Sequence, residues 1–479
     1  MIPGFRQHLK RFQKRSAGKG SPGCLALALL SLFILVGCAG YLEQASREAW
    51  QSDPEPAYAL VGAHLITMKA DGLSPDQTLI VRQGRIVAMG PVAEVPIPAD
   101  VEVLDMRGKY VLPGFADMHV HLAEENDLLQ FLRHGVTTVR NMADYPWWGK
   151  LLGYADAINL REKVRQRRLI GPNIFSCGRM LDGDPPRNLL GQVITNREQA
   201  LQAVKDTVDG GFDCVKVYSH LKRPQFDDIV AAARTARIPV VGHVPYDVGL
   251  EGVLAARLRS IEHLNAYIDF RASAFRFPEA ELAEAARRTT AAGVYNCPTL
   301  VIWDHFPPDE HLERMAQDPR YRYLSLPLRL FWPLAIAKLY DFSYPDKDSY
   351  AAHTLELSLK MTRILYEQGS PLLLGTDANL TGIYPGSTLL REMELFARAG
   401  IPNQAILAAA SLNAARALGR DAESGSLAVG KRADLVVLDA DPLQDIRNVR
   451  AIHGVLVQGR WLDQKRLGQM LAAAYGSGQ

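Results

Sequence analysis

The feature that most constrains the fold is an alternation of strand-like and helix-like segments between about residues 114 and 415. Eight short apolar segments are typical of buried strands, and helical patterns lie between several of them. The predicted strands are FADMHVH, GVTTVRN, NIFSCG, FDCVKVY, IPVVGHV, SIEHL, VYNCPTL and PLLLGTDA. Eight successive strand-then-helix units predict an α/β fold, a (β/α)8 barrel of the TIM type.

Two short β-rich blocks flank this region, at about residues 57–113 and 416–465. The first contains TLIVRQGRIVAMG, in which two apolar runs surround a Gln83-Gly84 turn. The second contains ADLVVLDAD and AIHGVLVQGRWL, which are also strand-like. Neither block is large enough to bury a core alone, so we expect both chain ends to form one small β-sandwich domain.

The first 37 residues have the pattern of a signal peptide. A basic head precedes an apolar run from Cys24 to Val36, which has ~13 residues against the ~20 that a spanning helix needs. The run ends in LVGC, which resembles a bacterial lipobox and implies cleavage before Cys38 and lipid attachment to its sulfur. A short membrane anchor is the alternative. Residues 38–56 are predicted to be a tether, which would hold the protein at the bacterial cell envelope, facing the periplasm or the exterior.

Composition argues against two further classes of protein. The chain has 54 basic and 52 acidic residues, and this balance gives no reason to expect nucleic-acid binding. Beyond the N-terminal segment only Cys177, Cys214 and Cys297 remain, which is too few for a disulfide framework. We expect these three to be small core residues, with one pair possible.

Ionisable or metal-binding side chains lie at the ends of five predicted strands. They are His119, His121, Lys216, His243, His263 and Asp377. Catalytic residues of such a barrel lie at the C-terminal ends of its strands. Singly, each residue has an ordinary interpretation: a snorkelling lysine, a core histidine or a helix-capping aspartate. Together they are costly to bury unpaired, and a metal centre would remove that cost.

The order HxH, Lys, His, His, Asp resembles that of the amidohydrolase superfamily, in its imidazolonepropionase-like and prolidase-like branch. GFADMHVH, GVTTVRNM, SIEHL, GTDA and the closing GKRADLVVLDADP carry the resemblance over about residues 57–465. It implies two divalent metal ions, and mixed imidazole and oxygen ligation favours zinc. By this resemblance His119, His121 and Asp377 bind one ion, and His243 and His263 bind the second. A carboxylated Lys216 bridges both.

The same resemblance implies a reaction. A hydroxide that bridges the metals attacks an amide carbonyl, while Asp377 acts as general base and then as general acid. We therefore expect a binuclear amidohydrolase that cleaves a C–N bond in a dipeptide or an N-acyl amino acid. Hydrolysis of a cyclic amide or lactone is the alternative within enzymes, and a non-catalytic binding lipoprotein is the alternative of another class. A mononuclear deaminase would not need Lys216.

Three residues and one insertion are candidates for substrate binding. Tyr218 follows Lys216 on the inward face, Arg140 ends the second strand, and His220 lies just beyond the fourth. A packed tyrosine and a structural salt bridge of Arg140 are the alternatives. Residues 303–350 contain ten aromatic residues after the seventh strand, so we expect a lid or pocket wall. A subunit contact in a homo-oligomer is the alternative.

Overall fold

The computed structural model describes residues 46, 56–68, 72–151, 153–305, 315, 317–324, 327–330, 332 and 347–475. The predicted signal peptide, the lipidation site Cys38 and most of the predicted tether lie outside the described residues. So do five of the ten aromatic residues of the insertion, Phe306, Phe331, Tyr340, Phe342 and Tyr344. Among the described residues, no helix combines the length and the apolar character that crossing a membrane requires.

Seven parallel strands form the barrel and confirm the predicted fold class. In spatial order they are β15 (Tyr295–Cys297), β12 (Ser260–Glu262), β11 (Val240–Gly242), β10 (Cys214–Val217), β8 (Asn173–Asp182), β7 (Val136–Asn141) and β6 (Phe115–Val120). A short strand β9 (Gln192–Val193) pairs with β8, and β13 (Ile268–Asp269) pairs with β14 (Ala274–Phe275). Because these strands are parallel, all their carboxyl ends lie at one face of the barrel.

The eighth predicted strand closes the barrel without forming a regular ladder. Isolated bridges join Leu372 to Asn296 on one side and Ala378 to Val120 on the other. Backbone hydrogen bonds from Leu373 N to Asn296 O and from Met118 N to Leu374 O complete the seam. The segment PLLLGTDA therefore occupies the position of the eighth strand, but its pairing is too irregular to be a strand throughout.

Helices alternate with the strands of the barrel. In chain order they are α1 (Asp127–Arg133), α2 (Trp147–Leu151), α3 (Ala157–Arg165), α4 (Arg197–Asp209), α5 (Arg223–Thr235), α6 (Gly249–Ala256), α7 (Glu279–Ala292), α8 (Val301–Asp304), α9 (Lys347–Glu367), α10 (Ser387–Arg398), α11 (Asn403–Ala409), α12 (Leu412–Ala417) and α13 (Gln464–Ala474). Two 3₁₀ segments span Pro319–Tyr323 and Ile446–Arg450.

Helix α4 illustrates why the sequence folds in this way. Asn196 caps its N-terminus by accepting a hydrogen bond from Gln199 N. Its buried residues recur at helical spacing, so one apolar stripe packs on the barrel. They are Ala200, Ala203, Val204 and Thr207. On the facing strand β8 a Cβ at Gly178 would lie 2.7 Å from Thr207 Oγ1, so the glycine permits this close approach.

Strands from both chain ends form a second sheet. Its order is β18 (Arg460–Asp463), β17 (Ile452–Val457), β16 (Leu435–Leu438), β5 (Tyr110–Pro113), β1 (Tyr58–Ile66), β2 (Leu73–Arg82) and β3 (Arg85–Pro91), and β4 (Glu102–Asp105) pairs with β1. The antiparallel pair of β16 with β5 joins the two ends of the chain. An apolar cluster of its own, which includes Leu60, Val81, Ile86, Val437 and Leu456, is the core of this sheet.

Two of the cysteines expected to be plain core residues are joined in a disulfide. Cys177 and Cys214 lie directly opposite each other on the neighbouring strands β8 and β10, with 4.4 Å between their Cα atoms. Cys297 is buried and free. All three cysteines are buried, as expected, and the one pair that the sequence left open is formed, because strand register, which the sequence does not show, brings Cys177 and Cys214 together.

The disulfide predicts a thiol count. In protein of residues 39–479 exported to an oxidising compartment, then unfolded and titrated with a thiol reagent, we expect one thiol per chain before reduction and three after it. A Cys297→Ala variant is the matched control and should show no thiol before reduction. Three thiols in the unreduced protein would contradict the pairing.

A buried carboxylate fixes the loop after β15. Glu392 on α10 is fully buried and accepts hydrogen bonds from Leu300 N at 2.9 Å and Val301 N at 2.7 Å. Burial raises the pKa of Glu392 to about 8, although the two N–H donors oppose this shift. Between about pH 4.5 and 8, Glu392 is therefore protonated in the folded protein. In the unfolded chain, where its pKa is that of an ordinary carboxyl group, it is ionised over the same range.

This proton predicts a pH dependence of stability. Since the folded state binds more protons in that range, Glu392 should make the free energy of unfolding fall as pH rises, by at most about 1.4 kcal/mol per pH unit. Replacing it with glutamine should remove this part of the slope in urea unfolding between pH 5 and 8. Glu279→Gln, which changes an exposed carboxylate on α7, should keep the wild-type slope. An unchanged slope in Glu392→Gln would contradict the raised pKa.

Candidate metal centre

The structure brings the six predicted metal-binding residues together at the C-terminal face of the barrel. Asp377 Oδ1 lies 3.0 Å from His121 Nε2 and 3.5 Å from His119 Nε2, and its Oδ2 lies 3.8 Å from His263 Nε2. Lys216 Nζ is 3.5 Å from His119 Nε2. The ring centroids of His243 and His263 are 4.9 Å apart. One cluster therefore contains every predicted ligand.

Each of the four imidazoles makes a hydrogen bond through its Nδ1 atom. The Nδ1 partners are Glu262 Oε2 at 2.8 Å for His119, Tyr145 Oη at 2.7 Å for His121, Ser219 Oγ at 2.9 Å for His243 and Thr299 Oγ1 at 2.7 Å for His263. Outer partners of this kind fix the ring orientation of metal-binding histidines and leave Nε2 free to coordinate. For His119, His121 and His263 the distances above show that Nε2 faces Asp377 or Lys216.

Two polar atoms at the centre lack hydrogen bonds. His243 Nε2 and Asp377 Oδ1 are buried, and no described residue meets hydrogen-bond geometry with either atom, although His121 Nε2 lies 3.0 Å from Asp377 Oδ1. Buried polar atoms are rarely left in this state because desolvation is costly. His119, His121 and Asp377 also place one ligand atom each within 4.8 Å of one another. The donor set therefore fits a metal ion.

A second possible ligand group, His119, Glu262 and Cys297, has the same compactness. In that group Glu262 already pairs with Arg140 Nη2 at 2.9 Å and with His119 Nδ1. Burial raises the pKa of the Cys297 thiol well above its usual value, which disfavours the thiolate that binds metals. The first group is therefore the better cation site.

Backbone geometry at the strand ends supports the same cluster. His263, Thr299 and Asp377 all have left-handed backbone conformations, with φ of 60°, 51° and 65°. Such conformations are uncommon for residues other than glycine and concentrate at functional sites. Before His243, Gly242 has φ of 134°, and a Cβ there would overlap Val217 O. Only glycine suits this position.

Burial shapes the protonation of the centre. It lowers the pKa of Lys216 to about 8, with Arg140 adding to the effect and Asp377 and Glu262 opposing it. It also lowers the pKa of His119 well below the usual value. Burial alone would raise the pKa of Asp377, but the surrounding imidazoles outweigh it and hold that pKa far below its usual range. The centre thus contains an ionised carboxylate beside four imidazoles whose pKa values burial lowers.

Arg140 is a structural residue in this fold. Its side chain is 2% exposed, and its guanidinium donates to Met118 O, Ser260 Oγ and Glu262 Oε1 at 2.7, 3.0 and 2.9 Å. The proposed contact with a substrate carboxylate is not supported, because these partners occupy the guanidinium below the cluster. The salt bridge, the alternative interpretation, describes the geometry.

Glu262 and Asp117 were not assigned a role from the sequence, although the position of each acid in an apolar strand indicates one. Each is a fully buried acid within an apolar barrel strand, which requires a partner for the same reason as Lys216 does. Asp117 accepts hydrogen bonds from Thr376 Oγ1 at 2.7 Å and Thr376 N at 3.1 Å, and so holds the segment before Asp377 against β6. Tyr145, Ser219 and Thr299 gave no such signal because they lie in loops.

The two remaining substrate-binding candidates differ in position. The Tyr218 ring stacks on His243, with 3.9 Å between the centroids. Burial raises the pKa of Tyr218 well above its usual value, so its phenol is a hydrogen-bond donor at neutral pH. His220 instead hydrogen-bonds Pro185 O at 2.7 Å, and no contact recorded for the described residues joins it to the cluster. Tyr218 is therefore beside the centre and His220 is directed away from it.

Part of the aromatic insertion packs at the catalytic face. Trp332 is 1% exposed and shares an apolar cluster with Leu324, Leu328 and Tyr384. Ala123, in the loop after β6, belongs to the same cluster, and Tyr384 follows Asp377. The described part of the insertion therefore packs against loops that follow two metal-site strands.

Comparisons with known proteins agree with this geometry. The sequence model of the amidohydrolase family matches residues 110–462. Imidazolonepropionase of Symbiobacterium thermophilum is 25% identical over 402 residues, which are 78% of this chain and 85% of that protein. The solved structure of the bottromycin amidohydrolase matches with a TM-score of 0.72 and 28% identity, over 91% of this chain and 93% of that one.

A putative prolidase from Bifidobacterium longum has the same fold, with a TM-score of 0.67 and 24% identity over 88% of this chain and 99% of that one. The family match covers well over half of the chain and includes every strand that carries a residue of the centre. The chain belongs to the amidohydrolase family.

Proposed function

We propose that this protein is a metal-dependent hydrolase that cleaves the amide C–N bond of a dipeptide or an N-acyl amino acid. Membership of the amidohydrolase family supports hydrolysis of C–N bonds. The observation that carries the metal dependence is the arrangement of the four imidazoles, each fixed through Nδ1 around a buried, ionised Asp377.

The residues present suit two divalent cations, most simply zinc. His119, His121 and Asp377 would hold one ion, and His243 and His263 would hold the other. Lys216, carboxylated by CO₂, would bridge them. Its lowered pKa favours this modification, because only a neutral amine reacts with CO₂. When bound, the ions would activate a water molecule and polarise the scissile carbonyl.

The protein's own groups would move the proton and orient the substrate. Asp377 would accept a proton at its carboxylate and would then deliver it to the leaving nitrogen. The Tyr218 phenol, protonated at neutral pH, would donate a hydrogen bond to the carbonyl oxygen. The described part of the aromatic insertion would shield the site from water and contact apolar parts of the substrate.

The substrate class rests on the relatives. Solved structures with this fold include a putative prolidase and a Xaa-Pro dipeptidase, which favours a dipeptide. The match to imidazolonepropionase, whose coverage extends over most of both chains, favours a second candidate, hydrolysis of a cyclic amide or lactone.

We further propose that the protein is a lipoprotein of the bacterial cell envelope, anchored through Cys38. The lipobox-like LVGC supports this placement. The Cys177–Cys214 disulfide supports it independently, because structural disulfides persist in oxidising compartments and are rare in the bacterial cytosol.

Replacing Asp377 with asparagine tests the proposed chemistry. We expect kcat on the best substrate from a dipeptide and N-acyl amino acid panel to fall by about 10²–10⁴-fold, because the proton acceptor is lost. Metal content is measured beside kcat, since Asp377 is also a proposed ligand. Asp209→Asn, which changes an exposed carboxylate on α4, is the matched control and should keep wild-type turnover.

Full turnover in Asp377→Asn would refute the proposed role of this residue. If the wild-type protein, loaded with metal, cleaves none of the amides, cyclic amides or lactones, the catalytic proposal fails and the binding-lipoprotein alternative gains support.

A further inference from the structure

A basic cavity lies at the end of the barrel opposite the candidate metal centre. Its volume is about 470 Å³, and its walls come from the first residues of β8, the end of α3 and the second sheet. The lining includes six arginines, Arg85, Arg161, Arg165, Arg167, Arg420 and Arg432, but only two carboxylates, Glu423 and Asp434. Proteins of balanced overall charge have no general need for such a concentration of positive charge.

Four of these arginines pair with nearby carboxylates. Arg432 pairs with Asp434 at 2.9 Å and Arg420 with Glu423 at 3.8 Å. Outside the lining, Asp213 pairs with Arg161 at 2.9 Å. Glu162 lies 3.6 Å from Arg161 and 3.1 Å from Arg165, so one carboxylate serves two guanidiniums.

Arg85 is the clearest unneutralised charge. It is paired across an antiparallel bridge with Arg432, so two like charges lie directly opposite each other. Asp434 pairs with Arg432, but like charges directly opposite each other still disfavour the pairing of the strands. Arg85 donates to Gly430 O at 2.9 Å and has no carboxylate at ion-pair distance among the described residues. At the cavity wall the Arg85 guanidinium can therefore accept an anion without breaking an ion pair recorded for the described residues.

Rigid turns hold the wall in place. The hairpin turns at Gln83-Gly84 and Gln458-Gly459 pack against each other, and a Cβ at Gly459 would lie 2.9 Å from Gly84 N. Gln83, Gly84 and Gln458 line the cavity. The contact leaves no room for side chains at the two glycines and so places both glutamines beside the arginines.

We propose that this cavity is a phosphate-binding site. Guanidinium groups bind phosphate oxygens in a bidentate manner, and several converging arginines suit a group of more than one negative charge or a phosphate with neighbouring acceptors. The ligand is either the headgroup of an anionic phospholipid or a soluble phosphate compound. Both present the same phosphate oxygens to the same side chains.

The position of the N-terminal segment favours the lipid source. Ser46 Oγ accepts a hydrogen bond from Ile170 N at 3.1 Å, in the loop that follows Arg167. Cys38 is eight residues before Ser46, and such a segment spans at most about 29 Å. If Cys38 bears the proposed lipid, the membrane surface lies within that reach of Ser46, which contacts the loop after the cavity residue Arg167.

The test compares matched pairs of charge removals in protein of residues 39–479, which lacks the lipid. Arg85→Gln/Arg165→Gln removes two cavity arginines, whereas Arg197→Gln/Arg287→Gln removes two exposed arginines on α4 and α7. Neither pair belongs to the candidate metal centre. Binding is measured by co-sedimentation with phosphatidylcholine vesicles, with and without phosphatidylglycerol, and by calorimetry with inorganic pyrophosphate at constant ionic strength.

We expect wild-type protein and the control pair to bind. The affinity of the cavity pair should be lower by about tenfold or more. Binding to phosphatidylglycerol vesicles alone assigns the site to a lipid headgroup, and binding to pyrophosphate assigns it to a soluble phosphate. The proposal is overturned if the wild type binds neither probe or if both variant pairs lose affinity equally. Thermal unfolding checks that the variants fold. If the cavity double variant does not fold, Arg85→Gln alone is tested in its place.

Discussion

The buried carboxylate of Glu262 is the interaction on which the rest of the centre depends. It is fully inaccessible to solvent and is shared between His119 Nδ1 and Arg140 Nη2. Arg140 in turn donates to Met118 O, so one ion pair connects β6, β7 and β12 beneath the cluster. A buried ion pair contributes little net stability, but the loss of one partner leaves an uncompensated charge and is severely destabilising. The pair is best understood as the group that fixes where His119 points.

Further hydrogen bonds position the other residues of the centre. Asp117 holds the segment before Asp377 to β6, and Glu392 holds the loop that carries Thr299. Tyr145, Ser219 and Thr299 then fix the three other imidazoles. The barrel supplies rigid strand ends, and buried polar groups in its interior convert those ends into a defined constellation. This preorganisation is what a hydrolytic metal site requires, because ligand geometry must exist before the ions arrive.

The fold and the six clustered polar side chains were accessible from the sequence because they follow local patterns. Alternating strand and helix periodicity predicts a barrel, and polar residues at strand ends predict its active face. The remainder depends on information that only the folded chain contains. The Cys177–Cys214 bond required strand register, and the burial of Arg140 required knowledge of Glu262 across the barrel. The eighth segment was predicted as a strand because it is apolar, whereas its pairing is interrupted where the backbone turns at Asp377.

The most direct test of the account is the metal content of the protein, measured by elemental analysis of residues 39–479 purified with zinc and bicarbonate. Lys216→Ala is the comparison, because it removes the proposed bridge and leaves the four histidines in place. The account predicts two metal ions per chain in the wild type and fewer in Lys216→Ala. One ion per chain, unchanged in Lys216→Ala, would contradict the bridged binuclear centre, and no bound metal in either protein would contradict a metal centre at these strand ends.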